Sequence, residues 1–131
     1  MLSPSLPEKR LRNIFQGHKM KPKRPTIVCL CGSTRFMREF GLTNIRESAQ
    51  GKIVLSVAYD FKQRPQTELV KQAKAKADEL HLRKIDLADE ILVLNVNGYM
   101  GETTRDEIKY AKAQRKRVRY LELKPIGEYT G

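Results

Sequence analysis

Residues 86–111, DLADEILVLNVNGYMGETTRDEIKYA, constrain the chain most. The apolar run Ile91 to Val96 is predicted to form a buried strand. A glycine-bearing loop, Asn97 to Gly101, follows, and a helix is expected to open with the carboxylate of Glu107 in its first turn. A strand that ends in a glycine loop and a helix N-terminus makes a ligand crevice in an open α/β sheet. Free N–H groups there attract an anion or an electronegative sugar edge. A carboxylate beside a sugar carbon can act as nucleophile or charge stabiliser.

The same alternation runs from Thr26 onward. Strands are predicted at Thr26–Cys31, Ile53–Val57, Ile91–Val96 and Arg117–Leu121, and helices over about 35–50, 67–87 and 104–115. Phe36, Met37, Phe40 and Ile45 are expected on the apolar side of the first helix. Leu69, Val70, Ala73, Ala77, Leu80 and Ile85 fill that role in the second. Gly51 is expected to end the first helix. The pattern implies an α/β fold, a Rossmann-like or flavodoxin-like three-layer sandwich with a parallel sheet of four to five strands. Right-handed crossovers gather three loops at one sheet edge: Gly32–Arg35, Ala58–Pro65 and Asn97–Thr104. The site is expected between them, where strand order reverses between the first and third strands.

At 131 residues the chain has room for one domain, residues 26–131, with a core that needs no disulfides. Residues 1–25 carry four prolines and seven Lys/Arg against one acid, and read as a flexible basic extension. They hold +6 of the +11 net charge. Nucleic acid is one partner class for such charge, and phosphorylated small molecules are another. The basic run Arg115 to Arg119 reads equally well as a solvated helix end. The apolar runs are too short to span a bilayer and residues 2–6 do not make a signal peptide, so a cytoplasmic protein without membrane contact is expected.

Cys29 and Cys31 lie two apart on a strand and therefore share a face. They read as buried reduced thiols; with no second Cys/His cluster in the sequence, no metal site is expected.

The Gly32-Ser33-Thr34-Arg35 turn follows a strand and opens a helix, which suits phosphate capture by backbone N–H groups, hydroxyls and a guanidinium. An ordinary N-cap explains it too. Thr104 to Glu107 matches a capping box, which competes with a catalytic role for Glu107. His81 is a candidate general acid or base, or a surface residue suited to the helix dipole. Asp86 and Asp89 suit ion pairs with Arg83 and Lys84. Tyr59, Phe61 and Tyr99 offer a stacking surface for a flat base, or pack beneath the loops.

Three segments, CGSTRF, ADEILVLN and GYMGETTRDEIKYA, resemble the nucleoside 2-deoxyribosyltransferase superfamily, which includes 2'-deoxynucleoside 5'-monophosphate N-glycosidases and an uncharacterised bacterial and phage branch. The likeness covers about residues 26–122. It implies that Glu107 attacks the sugar anomeric carbon and releases the base. Gly32, Ser33 and Arg35 would sit beside the sugar phosphate, with Thr103 and Thr104 helping to hold it and Gly98 and Gly101 in the glycine loop that leads to Glu107. Active members carry an Asp upstream of the third strand. Here His81 falls at that place and Asp86 is the nearest downstream acid. The expected function is therefore an N-glycosidic bond hydrolase or deoxyribosyltransferase-like enzyme acting on a nucleotide or nucleoside, with Glu107, His81 and Asp86 as catalytic candidates. The alternative is a non-catalytic nucleotide-binding or sensing module. No cofactor is expected, and a homodimer or higher homo-oligomer is.

Overall fold

A computed structural model describes residues 23–57 and 60–123. Most of the basic extension, the end of the chain, and Tyr59 lie outside the described residues.

Four strands form one all-parallel sheet: β1 (Ile27–Cys31), β2 (Ile53–Leu55), β3 (Glu90–Val93) and β4 (Arg117–Tyr120). Three helices connect them: α1 (Met37–Ala49), α2 (Glu68–Leu87) and α3 (Glu102–Ala113). Strand order is β2-β1-β3-β4. The expected α/β fold is observed, with four strands. The chain runs outward from β1 to β2, then crosses back to β3, so the switch point lies between β1 and β3.

Burial explains the strand sequences. The two central strands are covered on both faces, so they read as continuous apolar runs. Val28 and Leu30 of β1 face Phe40 of α1, together with Leu92 and Leu94. Cys29 and Cys31 point the other way, into a cluster with Ile85 and Ala88 at the end of α2 and Ile108 and Ala111 of α3. Thus α1 covers one face, and α2 and α3 the other. The edge strands are short or charged, β2 with three residues and β4 with Arg117 and Arg119, which discourages pairing with another chain.

Both expected apolar helix faces need correction. On α1, Ile45 is 69% exposed and Met37 is at the surface, whereas Phe40, Thr43 and Glu47 are buried. Glu47 is drawn inward by charge: its carboxylate bonds Arg119 and lies 3.1 Å from Lys52 Nζ, while Arg119 also reaches Glu90 at 2.8 Å. On α2, Leu69 and Leu80 are exposed, and His81 and Ile85 are buried. The 20-residue helix is about 30 Å long, and residues 68–76 are exposed except for the half-buried Val70. Thr67 Oγ1 accepts from Val70 N at 3.2 Å and caps its start. Gly51, at φ +83°, follows the last turn of α1 as expected. Among the described residues, no helix is long and apolar enough to cross a membrane.

Candidate functional site

The loop after β3 begins with a buried Asn95, whose amide bonds both backbone groups of Glu122, donating at 3.1 Å and accepting at 2.8 Å. This lashes the exit of β3 to the exit of β4. Asn97 and Gly98 follow in the left-handed region, at φ 54° and 78°, and turn the chain back toward β1.

There Tyr99 meets the loop after β1. The Arg35 guanidinium lies 4.0 Å above the Tyr99 ring, and Phe36 packs edge-on at 5.8 Å. Tyr99 Oη in turn lies beside Gly101, 3.5 Å from where a Cβ would stand. Gly101 is the N-cap of α3 and offers no side-chain acceptor to the first-turn N–H groups. Gly32 is held tightly: a Cβ there would come within 3.1 Å of the Leu94 side chain and 3.3 Å of its carbonyl. Two of the three expected loops therefore converge, with Arg35 beside the start of α3. Ser33 behaves as an ordinary cap, its Oγ accepting from Arg35 N at 3.3 Å, and Thr34 opens a short 3-10 turn. Phe61 lies in a separate 3-10 turn, Phe61–Gln63, which Asp60 caps through Lys62 N.

Helix α3 starts at Glu102, two residues earlier than the sequence suggests. Glu107 is consequently in the second turn, not the first, and Thr104 occupies the N3 position. The capping-box geometry does not form. Thr103 is exposed, Thr104 is buried, and Glu107 is turned inward and only 8% exposed.

His81, also buried, comes from α2 to meet Glu107, with Nε2 3.7 Å from Oε2. The same nitrogen lies 3.4 Å from Cys31 Sγ and 3.7 Å from Cys29 Sγ. The four side chains form one buried cluster. Burial pushes the Glu107 carboxyl up to about 7, although a protonated His81 pulls against this. Burial also opposes the charged form of His81, but the Cys29 contact and the Glu107 charge outweigh it and raise the imidazole. The hydrogen bond from Cys31 brings the Cys29 thiol down to about 5; Cys31 is correspondingly held high. Such perturbation by burial and a few partners is characteristic of functional sites. The donor atoms of Cys29, Cys31 and His81 all lie within 4.8 Å of one another, a grouping that can hold a metal ion.

Asp86 is not brought to Glu107. It lies about 7 Å further along α2 and about 140° round from His81. There it accepts from Tyr110 Oη at 2.5 Å and pairs with Arg83 at 3.1 Å. The basic run at 115–119 is largely engaged by the fold: Lys116 donates to the Asp86 carbonyl and Arg119 enters the Glu47–Glu90 cluster. Sequence reasoning did not connect the two cysteines with the site. Their shared face was legible from the period of two, but the rotation of α2 that delivers His81 was not.

No protein-family model, curated protein or solved structure matches this chain.

Proposed function

We propose that the crevice binds a nucleotide or nucleoside and cleaves or transfers its N-glycosidic bond, with Glu107 acting at the anomeric carbon. The observation that carries this reading is the fate of Glu107. A carboxylate that does not cap its own helix is turned inward beside a histidine, on the helix that follows a converged loop pair at the switch point of a parallel sheet. The likeness of CGSTRF and GYMGETTRDEIKYA to nucleoside 2-deoxyribosyltransferases supplies the reaction class.

In this reading the ionised Glu107 attacks the anomeric carbon, or stabilises the oxocarbenium-like centre that forms there. The C–N bond breaks, its electrons pass to the base nitrogen, and a protonated His81 donates to that base. Water or a second base then takes the sugar. Arg35, oriented by Tyr99, and the uncapped N–H groups of Glu102 and Thr103 receive a 5'-phosphate. Tyr59 and Phe61 are the candidates for stacking on the base. Asp86, committed to Tyr110 and Arg83, is left with a structural role. We place the protein in the cytoplasm and expect a homo-oligomer; Leu69, Leu80 and Leu87 of α2 are exposed apolar surface for a second copy.

The experiment is a chromatographic screen for free base, using ribo- and deoxyribonucleosides and their 5'-monophosphates. Release from one sugar class, fastest with the phosphorylated form, is expected. No release across the panel, with a nucleotide still raising the melting temperature, would replace the enzyme by a binding module.

A further inference from the structure

The cluster of Cys29, Cys31 and His81 carries more than the glycosidic reading uses. One imidazole nitrogen, His81 Nε2, faces three acceptors: Cys31 Sγ at 3.4 Å, Cys29 Sγ at 3.7 Å and Glu107 Oε2 at 3.7 Å. A single N–H serves one of them. A cation placed among Cys29 Sγ, Cys31 Sγ and His81 Nε2 serves all three donors, which lie within 4.8 Å of one another. The spacing fits such an ion: zinc bonds of about 2.3 Å to sulfur and about 2.0 Å to nitrogen, at tetrahedral angles, put the donors roughly 3.5 Å apart.

We propose that Cys29, Cys31 and His81 form a binding site for a thiophilic divalent cation, with Zn²⁺ as the occupant and its fourth position open. Cys29 and Cys31 are rigidly presented, because β1 is hydrogen-bonded to a strand on each side. Residues two apart on a strand have Cα atoms about 6.6 Å apart, at the upper end of what a disulfide spans, so ligation suits the pair better than oxidation. Softness of the donors selects zinc over magnesium or calcium, which require oxygen. Two thiolates balance the Zn²⁺ charge, and the Glu107 carboxylate beside His81 leaves a net −1. Lys84, three residues beyond His81 on the same side of α2, offsets it, held by its 2.7 Å bond to the Ser56 carbonyl. Solvent touches the cluster at the side chains of His81 and Glu107, which retain 7% and 11% exposure.

Metal binding stands whether or not Glu107 attacks a sugar. Where it does, an imidazole that ligates zinc cannot also protonate the departing base, so a zinc-filled protein is the inactive form and chelation frees His81.

The test titrates full-length, reduced, chelator-treated protein with Co²⁺ under nitrogen. Thiolate-to-cobalt charge-transfer absorption with strong tetrahedral visible bands is expected, displaced by equimolar Zn²⁺. Cys29→Ser and His81→Gln should each weaken Zn²⁺ binding by more than about 100-fold, beyond what loss of an outer-shell partner costs. Absence of the charge-transfer band in folded wild-type protein overturns the proposal, and this readout needs no variant to fold. Bands that persist unchanged in both variants overturn it as well. A negative result here leaves base release by the metal-free protein unaffected, so the two readings fail separately.

Discussion

Arg35 stacks on Tyr99, and stacking leaves the donor edges of a guanidinium open while fixing its plane. If those donors receive a 5'-phosphate, Arg35→Ala should raise KM for a nucleoside monophosphate by about 10- to 100-fold, the loss of one or two charge-assisted hydrogen bonds. The KM for the unphosphorylated nucleoside should barely move. Steady-state kinetics on the two substrates checks this difference, and equal effects on both would move the phosphate elsewhere. Glu107 shows at the same scale how small the margin of sequence reading is. Four residues, Thr104 to Glu107, have the composition of a capping box, yet a helix start two residues earlier removes that role. The sequence singled out the residue; the position of Gly101 as N-cap removed its capping reading.

Among the elements, α2 separates what periodicity reveals from what packing decides. The order and type of the three α-helices and four strands were legible from Thr26 onward, because central strands are apolar runs and a signal such as Gly51 marks a helix end. The buried faces of α1 and α2 were not. Apolar residues occur all round both helices, so hydrophobicity alone does not choose the stripe, and charge partners and neighbouring helices choose it instead. Ile85→Ala should therefore cost about 2–5 kcal/mol, the usual range for a buried Ile truncated in a core. Leu80→Ala, at an exposed position, should change stability by less than about 0.5 kcal/mol. Urea unfolding of the two variants tests the assigned face, and equal losses would reverse it. The His81–Glu107 pairing belongs here too: it requires the observed rotation of α2 against α3, a long-range fact that no local pattern contains.

For the whole molecule, Glu47, Lys52, Glu90 and Arg119 bind α1 to both edges of the sheet. Burial raises the Glu47 carboxyl, but Arg119 and Lys52 overcome this and hold it below its ordinary value near 4.5. A depressed carboxyl stabilises the fold fully above its unfolded pKa, and that stability is lost as pH falls through the folded value. Thermal melts should accordingly fall steeply below about pH 4.5. Glu47→Gln should lower stability at pH 7 by about 1.5–3 kcal/mol and flatten the acid slope. An unchanged slope would remove the cluster from the account of acid stability.

The central claim is that Glu107 performs the chemistry in the crevice, and single-turnover base release by wild type and Glu107→Gln tests it most directly. Metal-free protein in excess over a substrate found by the screen gives the chemical rate without product release. The account predicts a loss of at least about a thousandfold in that rate, roughly 4 kcal/mol of barrier, with substrate affinity retained. A Glu107→Gln rate within about tenfold of wild type would contradict it and assign the bond cleavage to another group.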